Sequence, residues 1–217
     1  MTISKAQIFN IALNILGVST PLENPNSVDN RAILLNNYYE LARDYVLKDF
    51  DWNFASAFKE LSLCDEQLEM SGFRFTFNYP NDCLFARELF LKNNYSCEKF
   101  SIATLSNGNS VILTDVEVPI LRYTRRVEKE VFFTSDFAMA LAHYLASLTA
   151  NVIAGSVQKG EVAWQKYIKI LKHARVIDAY ESKETNTYFL LARDRDVRKP
   201  YHRRNLRAFH RQGRPYI

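Results

Sequence analysis

A chain of 217 residues that is 47% hydrophobic and 13% aromatic is long and apolar enough to bury a sizeable core, as one domain or two small ones. Its formal net charge of +4 is unevenly placed: residues 185–217 hold nine Lys and Arg against two acids, leaving 19 bases and 22 acids in residues 1–184. Three cysteines (Cys64, Cys83, Cys97) without CxxC spacing argue against a disulfide framework or zinc ribbon and fit a reducing compartment. The opening MTISKAQIFN has no basic region followed by an apolar run, and no stretch reads as approaching the ~18 apolar residues of a membrane span. The expectation is a soluble protein made in a cytoplasm, with no membrane partner.

In chain order, Ser4 to Gln7 reads as a capping box, and apolar residues at helical spacing predict a helix over about 4–17, stopped by Gly17. The Pro-containing loop after it leads to Ser27, a candidate cap for a helix over about 27–50. Trp52, Phe54 and Phe58 then predict an aromatic plug at the end of a bundle. Residues 73–126 change character. Phe73, Phe75, Phe77 and Tyr79 alternate with Arg74, Thr76 and Asn78, the period of a half-buried strand. LFARELFL, SVILTD and EVPILRYT are three more short apolar runs, and together they predict a small antiparallel β insertion. Helical spacing returns over about 134–154 and 158–183. The expected architecture is mainly α: a four-helix bundle in residues 1–184 with a small β insertion, followed by an extended basic tail over 185–217.

A search for chemistry finds little. The four histidines (His143, His173, His202, His210) lack HExxH or i,i+4 spacing, so no metal is expected, and His143 reads as a satisfied core or interface histidine. In GSVQKG (155–160) Lys159 precedes the second glycine, so a helix–helix turn is expected there instead of a phosphate loop. The carboxylate pairs Asp49/Asp51 and Glu128/Glu130 read as solvated ends of elements. Tyr38, Tyr39, Tyr45, Trp52 and Phe54 read as core. No catalytic set, metal site or cofactor is expected.

The order of residues nevertheless carries a resemblance. Asn10, Ala12, Leu13, Leu16 and Gly17 form an N-x-A-L-x-x-L-G pattern. Tyr39, Ala42, Arg43, Asp44, Val46 and Leu47 come next as Y-x-x-A-R-D-x-V-L, closed by Trp52, Asn53, Phe54 and Ala55 as W-N-F-A. Tyr79, Pro80, Asp82, Cys83 and Leu84 form a further tyrosine–proline–acid–cysteine segment, and residues 137–146 an F-x-x-A-L-A-x-x-L-A helix. Over about residues 6–180 this resembles the tail tubular protein A family, the head-to-tail adaptors of short-tailed bacteriophages. The resemblance implies a structural virion protein of the head–tail junction, assembled in the host bacterial cytoplasm as a ring, expected to be a dodecamer. It implies docking beneath the portal protein, a nozzle such as a tail tubular protein B-like ring carried below, and double-stranded DNA passing through the lumen without sequence-specific binding. No reaction is implied.

The basic tail is outside the matched stretch. As a portal-docking strap, Arg193, Arg198, Arg203, Arg204, Arg207 and Arg211 would pair with portal acids. Tyr201, Phe209 and Tyr216 would act as its apolar anchors. The alternative is a nucleic-acid-binding protein working through the same interleaved Arg and aromatic residues.

Overall fold

The computed structural model describes residues 3–68, 72–91, 96–174 and 176–177. The chain divides into two compact units, Met1–Ala174 and Arg175–Ile217. The basic tail and the last part of the predicted final helix lie outside the described residues.

In the first unit, local side-chain chemistry sets the helix ends. Ser4 Oγ accepts from the Gln7 N–H, and the Ser4 N–H donates to Gln7 Oε1 at 3.0 Å, closing the capping box of α1 (Lys5–Ile15). Gly17 ends it at φ +81, with its N–H donating to Asn14 O and the Val18 N–H to Leu13 O, a Schellman pair. Helix α2 (Asn30–Asp49) starts later than predicted, because Asp29 caps it and Ser27 does not: the Asp29 carboxylate accepts from the Arg31 N–H at 2.8 Å, while Ser27 Oγ is buried without a partner among the described residues. The Arg31 guanidinium and N–H beside it hold the Asp29 carboxyl down at about 2. Thr134 caps α3 (Ser135–Ala154), and Gly155 closes it in the left-handed region. Ser156 Oγ accepts from the Lys159 N–H at the start of α4 (157–174).

Helix α3 corrects one expectation. At 20 residues and a mean hydropathy of 1.4 it is long and apolar enough to cross a membrane by length and composition. Here it is the centre of the helical layer, with Phe137, Ala140, Leu141, Ala142, Leu145 and Ala146 fully buried. Helices α1 and α2 both pack on it and meet each other through an edge-on contact of Phe9 and Tyr39 at 5.6 Å. Helix α4 closes against α3 at Gly160, where a Cβ would meet Ser147 O at 3.0 Å. Lys159 reaches across to donate from Nζ to Leu16 O, at 2.7 Å, on the C-terminus of α1.

The mainly-α four-helix bundle is overturned by the rest of the chain. Seven strands among the described residues form two antiparallel sheets. They are β1 (Ser56–Glu60), β2 (Phe75–Asn78), β3 (Cys83–Leu91), β4 (Cys97–Glu98), β5 (Phe100–Thr104), β6 (Ser110–Thr114) and β7 (Pro119–Arg125). One sheet has the order β1-β7-β3-β4 and the other β2-β6-β5. Their facing sides share a core of their own: Ala86, Leu89, Leu121 and Tyr123 from the first meet Phe77 and Ile112 from the second. The strands are therefore not an appendage on a helical core. They bury a separate one, as a two-layer β structure does.

Two local expectations change with it. Phe58 does not plug the bundle; it lies on β1, 65% exposed, beside Phe90. Its place is taken by Phe50, Phe133 and Phe137, which pack around Trp52 and Phe54. In β2 the alternation is broken at Thr76, which is buried because residues 61–68 fold over it: its carbonyl accepts from the Cys64 N–H and its hydroxyl from the Leu68 N–H.

Candidate docking surfaces

The motif residues of α2 hold the helical layer to the strands. Tyr39 is buried and donates its hydroxyl to Glu130 Oε1 at 2.9 Å; burial first, and then the Glu130 charge, push the phenol well above its ordinary pKa. Arg43, 6% exposed, grips Asp44 Oδ1 through Nε and Nη2 at 3.0 and 2.9 Å. The other oxygen of Asp44 accepts from Arg126 Nε, just past β7, at 2.9 Å. Tyr39, Arg43 and Asp44 thus clamp the segment leaving the sheet onto α2. They border a cleft of about 540 Å³ whose lining holds the bases Lys5, Arg43 and Arg126 and the acids Glu40, Asp44, Glu128 and Glu130.

A second joint lies at the end of α2. Arg87 on β3 donates from Nη2 to Lys48 O at 2.9 Å and Phe50 O at 3.1 Å, and from Nε to Thr124 Oγ1 at 2.9 Å. It therefore satisfies carbonyls that the helix leaves open. Arg122 on β7 pairs with Asp51 and, at 3.2 Å, with Glu88. Trp52 donates to Val46 O at 2.9 Å, folding W-N-F-A back under the helix. Asn53, in the same turn, is exposed. Pro80 O accepts from the Cys83 N–H, and Asp82 accepts from the Tyr123 hydroxyl at 3.1 Å. Burial and that carboxylate push Tyr123 up to about 12. Burial also raises the Cys83 and Cys97 thiols, the opposite of what a nucleophilic thiolate needs.

Three of the four carboxylates expected to be solvated are partnered instead, while Glu128 is exposed as expected. Asp49 accepts from the Tyr167 hydroxyl at 2.6 Å, Asp51 pairs with Arg122, and Glu130 takes Tyr39. His143 is buried in the helical core, with no partner for Nδ1 among the described residues; burial and nearby Lys166 lower its pKa. No group of three His, Cys, Asp or Glu among the described residues is placed to hold a metal ion.

No family model and no curated protein matches this chain. Arg193, Arg198, Tyr201, Arg203, Arg204, Arg207, Phe209, Arg211 and Tyr216 lie outside the described residues. Sequence reasoning missed Arg87, Arg122, Arg126 and Lys159. The signal was present for Arg87, a cation inside the apolar run LFARELFL, which burial obliges to find acceptors.

Apolar surface remains in two places. Between α1 and α3 runs a groove of about 460 Å³ with Ile3, Ile11, Ala138 and Met139 in its walls and only neutral amides (Gln7, Asn10, Asn14) among its α1 polar groups. On α2, Ile33, Leu41 and Tyr45 are partly exposed: Leu41, at 73% exposure, borders the charged cleft, and Tyr45 stacks on Tyr144 of α3 at 4.7 Å.

Proposed function

We propose that the chain is a structural virion protein: a ring-forming head-to-tail adaptor that docks beneath the portal, extends the DNA channel and carries a tail nozzle. The observation that carries this reading is the paired motif Y-x-x-A-R-D and W-N-F-A in α2 and the turn after it. Those residues are spent on internal joints: Tyr39 on Glu130, Asp44 on Arg126, Trp52 on Val46. A part that transmits load between head and tail needs such joints. Exposed apolar side chains on the helices, such as Leu41 and Val152, suit a subunit that closes against neighbours. The basic tail is then a docking strap, its arginines pairing with portal acids and its aromatics acting as anchors.

The test is native mass spectrometry of the full chain alone and with the portal protein of the same virus. Expected are closed rings, or monomers that join the portal as a ring; a lasting monomer that never joins the portal defeats the reading. Deleting residues 186–217 is expected to leave the described fold intact and to abolish portal binding.

The Arg and aromatic interleaving of residues 193–216 favours a second reading, a nucleic-acid arm. A salt titration against double-stranded DNA separates the two. Tight binding with a steep salt slope supports the arm, and binding lost near physiological salt supports the strap.

A further inference from the structure

The three-stranded sheet ends differently on its two sides. The Leu105 N–H donates to Asn109 O at 2.9 Å where the β5–β6 hairpin closes, so Leu105 faces β6. Backbone direction alternates along an antiparallel pair. Ser101 and Ala103 therefore face β6 as well, and Phe100, Ile102 and Thr104 turn their N–H and C=O groups outward. The same alternation, carried through β6, turns Thr76 and Asn78 to the outside of β2. There both are met: Thr76 O accepts from the Cys64 N–H and the Asn78 N–H donates to Ser62 O, each at 2.9 Å. Residues 61–64 thus close the β2 side. Among the described residues, nothing bonds to the outward groups of β5.

Strand β5 also lacks what protects other edges. In the four-stranded sheet the edge strand β4 has two residues, and the edge strand β1 carries Lys59 and Glu60. Strand β5 has no charge, no proline and an unbroken register against β6. Ile102 lies opposite the fully buried Ile112 and shares its face of the sheet, but is 50% exposed at the sheet's end.

We infer that β5 pairs antiparallel with β5 of a second copy, centred on Ile102. In that register Ile102 opposes Ile102 and Phe100 opposes Thr104, so every outward N–H and C=O of one copy meets its counterpart on the other. The two Ile102 side chains cover each other. A foreign strand added at β5 would only relocate the open edge to its own far side. A second copy removes it. The product is one continuous sheet with three strands from each copy, ending on both sides at β2, where residues 61–64 already take the outward groups. A two-fold contact closes on itself after two copies and cannot run round a ring. The pairing is therefore independent of the adaptor reading; between ring-forming subunits it ties one ring to another.

The test is sedimentation velocity of the full chain over a concentration series. Expected is a reversible pairing of chains, or of their rings. Ile102→Pro removes one outward N–H and no β5–β6 bond, so it is expected to keep the fold and weaken the pairing by on the order of tenfold or more. Ile102→Lys, which sets like charges opposite each other, is expected to act in the same direction. Circular dichroism confirms that each variant folds. Register is read by cross-linking in a Cys97→Ser background, which removes the exposed thiol and leaves Cys64 buried and Cys83 half-buried. Ile102→Cys and Phe58→Cys chains, the latter altered on the β1 edge, are mixed and treated with a short bismaleimide. The 102–102 link is expected to exceed the 58–58 and 58–102 links by on the order of tenfold. A chain that never pairs, or pairing that both Ile102 variants leave unchanged, overturns the inference. So does a prevailing 58–102 link, which would put β1 of the next copy on β5. None of these outcomes touches portal binding, by which the adaptor reading stands or falls.

Discussion

Arg87 illustrates what one buried cation does at a joint. It sits 17% exposed and serves three acceptors from two elements, so its removal leaves Lys48 O and Phe50 O open and Asp51 with one cation fewer nearby. Arg87→Met is expected to cost about 3 kcal/mol of unfolding free energy, measured by urea denaturation. Arg87→Lys is expected to recover little of it, because a single ammonium cannot reach acceptors on both sides of a planar fork. His143 acts through pH. Its folded pKa lies below the ordinary 6.5, so its stabilising contribution is complete above that value and is lost as pH falls toward the folded pKa. The melting temperature should fall as pH drops below about 6.5, and His143→Gln should flatten that part of the profile. Asp29 works the same way at lower pH. Its folded value of about 2 against an ordinary 3.8 means its cap and ion pair are lost as pH drops through that interval, a loss absent in Asp29→Asn.

Helix ends and helix contacts answer to different rules. The ends are local: Ser4 with Gln7, Thr134 with Phe137 and Gly17 with Asn14 each span three residues, and the Ser4 box and the Gly17 stop were legible as sequence patterns. Asp29 displaced Ser27 as the cap of α2 because two acceptors competed within three residues and only the fold shows which N–H each one faces. The α3/α4 contact is not local. Gly160 reads as part of a turn motif, yet what it does is let α4 approach Ser147 and Ala150 of α3. Gly160→Ala is expected to destabilise by about 1–3 kcal/mol through overpacking, despite alanine's better helix propensity, and thermal unfolding reads it directly. The opposite sign would mean that Ser147 and Ala150 can yield.

At the scale of the molecule, the division into a helical layer and a two-layer β structure has its own consequence. Each has a separate core, and the two are joined by Arg87, Arg122–Asp51 and Asp44–Arg126. Helical periodicity, the capping signals and the contrast between a basic tail and a mildly acidic body were determined by the sequence alone. These depend on residues a few positions apart or on simple counts. The strands hidden in SAFKE and FSIAT and the partners of Asp49 and Asp51 were decided only by the tertiary structure. The Arg122–Asp51 and Tyr167–Asp49 contacts close over sequence separations of 71 and 118 residues. No local pattern encodes which distant charge or strand will arrive there. A short apolar run pairs in whatever register leaves the fewest buried polar groups without a partner.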